Sequence, residues 1–285
     1  MSTNHFYYER YANSMMFRGH GHGFYDPPSN SDARPGICGY IDDGGIWQKM
    51  VDLKDDTAVN DLKLSNLGTV QLKPTEKQTW GPLHTNTVKR TDVQVGANLS
   101  LSSLGVPLDC SGVLKYSLNS SFGAILLCND AVEMDSYGHK DTFMRWAKAN
   151  AELLRKIWPD ITNHGFYVMT STWSARDIYI NSLHNQEDNV VIGFKAMVPG
   201  AGGVGLSTEY YRGQSGGNWH HPIVTGDERK VIFFGGIHLS FNKLFRRFNK
   251  QDQVEWTGYR GAGDTFLVRD GDDAYEVQMS VVSLQ

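Results

Sequence analysis

From Val93 to Leu101 every second residue is apolar: Val93, Val95, Ala97, Leu99 and Leu101, separated by Gln94, Gly96, Asn98 and Ser100. A period of two gives a strand with one apolar and one polar face, and it excludes a helix over the same residues. A second run repeats the pattern at Leu114, Tyr116 and Leu118, then Phe122, Ala124 and Leu126, against Lys115, Ser117, Asn119 and Ser121. The segment Leu104 to Cys110, with Gly105 and Pro107, supplies a turn between them, so the two runs predict a long amphipathic hairpin. Even-numbered positions repeat the signal further on, at Ile192, Phe194, Ala196, Val198, Val204, Leu206 and Tyr210. Gly193, Lys195, Ser207 and Glu209 take the other face, and Pro199 with its neighbouring glycines interrupts this second hairpin. Ordinary strands run to about 5–6 residues, whereas a strand crossing a bilayer needs about 9–11. Both hairpins reach the longer length. A large antiparallel sheet packed on one side fits the same pattern, so alternation leaves two readings open.

The remaining elements surround these hairpins. Residues 1–35 read as an irregular lead-in, with a linker-like cluster at Pro27, Pro28, Ser29, Asn30 and Ser31. A strand and turn follow from Ile37 to Trp47, turning at Asp43-Gly44-Gly45, and a short helix is expected within 48–68. Phe143, Trp146, Ala149, Leu153, Leu154 and Ile157 share one helical face and predict a helix over 140–158. Asp141 in its first turn, Arg155 and Lys156 in its last, and Pro159 beyond it agree with the helix dipole and with a stop. A strand is expected from Phe166 through Val168 to about Ile180, and another from Val231 to Ile237. Basic residues then cluster at Lys243, Arg246, Arg247 and Lys250. In the tail Phe266 and Val268 alternate, as do Tyr275, Val277 and Met279, so these residues can add strands to a sheet. The fold class is α+β: a twisted antiparallel sheet with peripheral helices and two long amphipathic hairpin segments.

Composition narrows the function. With 285 residues, 40% hydrophobic and 20% charged, the chain can bury a sizeable core without disulfides or metals. A net charge of −4 gives no overall pull toward nucleic acid or anionic lipid, so anion binding falls to a local basic patch. Cys38, Cys110 and Cys128 are odd in number and form no C-x-x-C pair, which favours a reducing compartment over a disulfide framework or a zinc site. The first 26 residues carry no apolar signal run, and no stretch approaches the roughly 20 apolar residues of a spanning helix.

The motifs with chemical potential are weak. Gly213-Gln214-Ser215-Gly216-Gly217 fits the nucleophile-elbow pattern, but Asn218 to Pro222 does not start a helix as an elbow requires. Gly200 to Gly205 fits a dinucleotide fingerprint, but Pro199 precedes it and a strand pattern follows. His20-Gly21-His22 and His220-His221 lack the companions that a metal site needs and read as surface histidines. No catalytic residue, cofactor or metal is expected.

The order of the parts resembles the gasdermin pore-forming domain. The resemblance rests on Thr91 to Leu127, the helix 140–158, the run Gly165-Phe166-Tyr167-Val168-Met169-Thr170-Ser171-Thr172, a strand ending near Ile237, and Gly45 to Leu53 as an early strand leading into a short helix. It covers about residues 36–240, and the short remainder is similar to the short fungal type. The resemblance implies a pore-forming domain, 1–241, and a C-terminal regulatory tail, 242–285, that is cut by an activating protease or displaced by a partner protein. It implies a protein that waits in the cytoplasm, binds acidic phospholipid of the plasma membrane through Lys243, Arg246, Arg247 and Lys250, and forms a homo-oligomer. The segments 88–127 and 165–212 would extend as hairpins of a transmembrane β-barrel and kill the host cell. Val93, Val95, Leu99, Leu101, Leu114, Tyr116, Leu118, Phe122, Phe166, Val168, Ile192, Phe194, Val204 and Leu206 would face lipid. Nucleic acid is not an expected partner. A lectin-like module that binds a ligand with the loops 200–203 and 213–218 is the alternative, and a hydrolase built on Ser215 the third reading.

Overall fold

A computed structural model describes residues 3–94, 101–185, 188–197, 207–215, 219–244, 264–270 and 273–282. The chain opens with helix α1 (Thr3–Met15) and strands β1 (His22–Gly23), β2 (Ile37–Ile41) and β3 (Trp47–Asp52). Helix α2 (Asp56–Asp61) and strands β4 (Glu76–Gln78), β5 (Leu83–His84) and β6 (Val88–Gln94) follow. Next come β7 (Gly112–Leu118), β8 (Gly123–Cys128), β9 (Val132–Ser136) and helices α3 (Lys140–Ile157) and α4 (Ile161–His164). Strands β10 (Phe166–Ala175), β11 (Ile178–Leu183), β12 (Asn189–Met197), β13 (Ser207–Ser215) and β14 (Trp219–His220) lead to the long β15 (Lys230–Leu244). The strands β16 (Asp264–Asp270) and β17 (Asp273–Val282) close the list.

All the paired strands are antiparallel, and the fold is α+β. The largest sheet runs β16-β17-β15-β10-β2-β3, with β9 and β4 continuing beside β10 and β1 beside β15. Helix α3 covers one face of it. Its Phe143, Trp146, Ala151 and Leu154 pack on Phe166 and Val168 of β10, Ile237 and Leu239 of β15, and Val277 and Met279 of β17. Burying each such side chain contributes about 1.5–3 kcal/mol, so this one helix face is a main source of stability. Trp146 also donates its indole N–H to the Ser65 carbonyl at 2.6 Å, and the buried Asn150 amide bonds the Ser65 backbone and hydroxyl, tying the loop after α2 to the helix.

Helix α1 corrects the expectation of an irregular lead-in. Tyr8, Tyr11, Ala12 and Met15 are buried on the far face of the sheet, where Phe24, Phe233 and Phe234 meet them. These four positions follow the i, i+3, i+4, i+7 spacing of an amphipathic helix. Tyrosines carry that stripe, and a tyrosine counts as apolar only when the tertiary structure buries its ring.

At the expected tail boundary the chain is one continuous strand. Strand β15 crosses positions 241 and 242 without a break, and β17 pairs along it from Gly236 opposite Val282 to Leu244 opposite Ala274. The expected strands around Phe266 and Tyr275 exist and extend the main sheet.

Candidate functional site

Hairpins form in both regions and lie against each other; the leading strand of the first is Val88–Gln94, so of the alternating run only Val93 and Gln94 are strand, Leu101 lies in a turn, and 95–100 fall outside the described residues. Strands β6 and β7 form the first, β12 and β13 the second, and β7 pairs β12 to give one four-stranded sheet in the order β13-β12-β7-β6. A second four-stranded sheet has the order β14-β11-β8-β5. Each strand of one sheet is the chain neighbour of the strand in the same place in the other: β5 leads into β6, β7 into β8, β11 into β12 and β13 into β14. The two sheets are therefore two halves of one ribbon, interrupted along a line through 85–87, 119–122 and, among the described residues of the β11–β12 connection, His184, Asn185 and Asp188.

The central strands keep one register across this line. Leu183 stands opposite Gly123 and Asn189 opposite Ser117, so six residues pass on each strand. Phe122 and His184, which that register places opposite each other, bring their rings to 5.6 Å. Side-chain oxygens close the interruption locally. The amides of His184 and Asn185 donate to the Asp188 carboxylate, each at 3.0 Å. The Ser120 hydroxyl donates to the Phe122 carbonyl at 3.1 Å, and the Ala124 amide donates to the Thr85 hydroxyl at 3.1 Å. The alternation from Leu114 through Leu126 reads as one strand and misses both the break at 119–122 and these caps, because an Asx-type or hydroxyl cap is recognisable only once the backbone turns.

Directly paired residues of an antiparallel ladder share a face, so the registers assign each hairpin residue. Leu114, Tyr116 and Leu118 of β7, with Val190 and Ile192 of β12, form one buried cluster with Val88, joined by Phe194 and Tyr210. Its other wall is Ile125, Leu183 and Trp219 from the neighbouring sheet, none of which sequence reasoning assigned to the site. Phe194 lies across from Gly112, where an added Cβ would stand 2.4 Å from the ring. The opposite face holds Val113 and Val191, covered by Leu101, Val106 and Cys110 of the segment that joins β6 to β7. Gly193 and Gly213 give that segment room, since a Cβ on either would meet Val106 or Cys110 within 2.8 Å. On the edge strand β6, Arg90 makes two bonds to Asp92 at 2.6 and 2.7 Å, and Lys195 of the central strand β12 pairs with Asp109 of the β6–β7 connection.

Several predicted residues sit elsewhere. Val93 pairs Val113 and Leu101 packs beneath it, so both lie on the face opposite Leu114 and Phe194. Phe122 belongs to the core under α1, with the Arg10 guanidinium 5.9 Å above its ring. Phe166 and Val168 lie in β10, paired to β15 on one side and sealed under α3, so the second hairpin begins after β11 and not at 165. Burial by a helix makes those two residues apolar without any lipid. Lys243 is exposed and pairs with Asp273 at 2.8 Å. Val95, Leu99, Val204, Leu206, Arg246, Arg247 and Lys250 lie outside the described residues, as does the loop 200–203.

Two adjoining clefts of about 420 and 430 Å³ open between α1 and the main sheet, and Asn13, His22 and Tyr167 line both. The Tyr8 hydroxyl and His22 Nε2 are 2.9 Å apart, and Tyr167 stacks on His238 at 4.3 Å. Burial, with His238 nearby, pulls His22 down to about 4, and burial alone does the same to His238. Among the described residues no group of three or more His, Cys, Asp or Glu side chains is placed to hold a metal. Ser215 ends β13, and strand β14 follows it within five residues, so the strand-turn-helix of a nucleophile elbow does not form there. No described helix is long and apolar enough to cross a membrane, which leaves strands untouched as a means of crossing. No protein-family model matches the chain, and no curated protein matches it either.

Proposed function

We propose that this chain is a pore-forming protein of the gasdermin kind. It binds acidic lipid, assembles side by side with its own copies, and inserts the β6–β7 and β12–β13 hairpins into the bilayer as strands of a shared β-barrel. One observation carries the reading: two hairpins stand side by side in one sheet whose edge strands are β6 and β13, with Leu114, Tyr116, Ile192 and Phe194 together on one face. The strands alternate in direction across that sheet, so β13 of one copy meets β6 of the next antiparallel. Repetition of that contact closes a ring and removes the unpaired edges that hydrocarbon does not tolerate.

In water the same apolar face is hidden by Ile125, Leu183 and Trp219. Release of the hairpins exchanges that cover for lipid, and the remainder of the fold, built on α3 and the main sheet, stays outside the bilayer. The protein acts without catalytic residues or a cofactor, from the cytoplasm onto the plasma membrane. Lys243, Arg246, Arg247 and Lys250 supply the attraction to acidic headgroups, each worth about 1 kcal/mol near such a surface. An activating protease cuts within 249–263, or a partner protein displaces the strands beyond it.

Dye release from vesicles tests this. The intact chain, and a chain nicked at a protease site built into 249–263, are added to vesicles of phosphatidylserine with phosphatidylcholine and to phosphatidylcholine alone. Release is expected from the acidic vesicles, strongest with the nicked chain. Phe194→Arg should abolish it, because an arginine facing lipid near the midplane costs roughly 2–4 kcal/mol in every subunit. Intact acidic vesicles with both forms of the chain would discard the reading in favour of a soluble ligand-binding module.

A further inference from the structure

The two clefts beside α1 have walls of different chemistry. Asn13, His22 and Tyr167 belong to both. The first cleft adds Glu9 of α1, Asp42 and Asp43 of the β2–β3 turn, and Asn163 of α4. The second adds Met16, just past α1, and Val281 and Val282 of β17. Two of these apolar side chains stay largely open to solvent, Met16 at 50% and Val281 at 44%. Among the described residues that line the clefts there is no lysine or arginine. Volumes of about 420 and 430 Å³ fall within the range of small-molecule sites, about 300–1,000 Å³.

The first cleft is an electronegative place. Neutral donors orient the Asp42 carboxylate: the Gly44 and Ile46 amides donate to one oxygen and the Gln48 side chain to the other. Asp43 lies 3.5 Å from His164. The Tyr8 phenol responds to its surroundings, pushed up by burial first and then by Tyr167, Glu9 and Asp42. Burial draws His22 and His238 down to about 4, so at neutral pH neither ring sets a positive charge against the carboxylates. Such a field attracts a cation, and the rings of Tyr8 and Tyr167 offer it aromatic faces. The second cleft, with its open apolar wall, favours hydrocarbon that leaves water.

We propose that the adjoining clefts bind a small organic ammonium ion with a hydrocarbon tail. The ammonium group lies by Glu9, Asp42 and Asp43, and the tail lies against Met16, Val281 and Val282. The described lining takes no residue from β6, β7, β12 or β13, so the site is separate from the hairpins and stands whether or not they insert. Its walls come from α1, the β2–β3 turn and β17, and a ligand there ties together elements far apart in the chain.

Calorimetric titration of the full chain at neutral pH tests the site, with hexylammonium chloride as the probe. Hexanoate reverses the charge, hexanol lacks it, and ethylammonium lacks the tail. Hexylammonium should bind about tenfold or more tightly than each of them, as burial of a few methylenes and a favourable charge require. The imidazole proton signals of His22 and His238 should move during the titration. Glu9→Gln with Asp43→Asn removes two charges at exposed positions and should weaken hexylammonium by about fivefold while leaving hexanol unchanged. Val281→Ser should weaken hexylammonium and leave ethylammonium unchanged. Hexanoate binding as tightly as hexylammonium, no hexylammonium binding at millimolar concentration, or histidine signals that stay in place would each overturn the proposal. So would hexylammonium affinity untouched in the folded Glu9→Gln, Asp43→Asn chain. Should a variant fail to fold, the ligand comparison and the histidine signals of the unmodified chain still decide.

Discussion

His22 and His238 occupy positions where a positive charge is hard to keep. Protein surrounds both rings, Tyr8 bonds one and Tyr167 stacks on the other, and both are drawn down to about 4. Unfolded, each returns to about 6.5. Between those values the unfolded chain binds more protons than the folded one, so stability is full above about pH 6.5 and falls as the pH drops toward 4. The loss is about 2 kcal/mol for each ring once the side open to the clefts is discounted. Because His22 is bonded to Tyr8 of α1, α1 is the part that should loosen first. Urea denaturation at pH 7.5 and pH 4.5 should show the loss, and His238→Phe, which keeps the stack on Tyr167, should remove about half of it. An unchanged pH dependence in that variant would place the acid sensitivity elsewhere.

At the scale of elements, the line through 85–87, 119–122, His184, Asn185 and Asp188 is where local and long-range order compete. The register of β7 with β12 and of β8 with β11 is the same, so a continuous ladder is available to the central strands without sliding. Caps by Thr85, Ser120 and Asp188 hold the interruption instead. Asp188 is the strongest of them, a charged acceptor with two backbone donors. Asp188→Ala should cost about 1–2 kcal/mol in denaturation and speed amide exchange at His184 and Asn185 ahead of the neighbouring strands. Ser120→Ala should cost less, since a neutral hydroxyl makes the weaker bond. Equal exchange rates in the Asp188 variant and the unmodified chain would mean that packing alone keeps the ladder interrupted.

For the whole molecule the decisive element is β17. It pairs with β15 over nine positions and, with β16, buries Val268, Ala274, Tyr275, Val277 and Met279. At about 1.5–3 kcal/mol for a large apolar side chain, that burial matches the entire stability of an ordinary domain, about 5–15 kcal/mol. Residues 1–241 alone should therefore be insoluble when expressed. The chain nicked within 249–263 should instead elute as one particle of full size, because the ladder survives the cut. A soluble, leaky 1–241 fragment would make the tail a detachable cover and support the boundary expected from the resemblance.

Alternation and helical periodicity were enough to determine the second hairpin, the returning strand of the first, helix α3, the early strand pair and the two tail strands. In each of these the pattern is local: the polar and apolar faces are written along a single element, and burial merely obeys them. Three features were decided only by the tertiary structure. Helix α1 needed the sheet beneath it before its tyrosines counted as core. Phe166 and Val168 have the alternation of a hairpin strand, yet α3 and β15 make β10 the middle of the sheet. The side of the first hairpin on which Val93 lies was set by its pairing with Val113, a contact between residues 20 positions apart. A strand's own sequence says which of its residues belong together. It does not say which neighbour they will face, because that depends on the register, and the register is fixed by packing across the whole sheet.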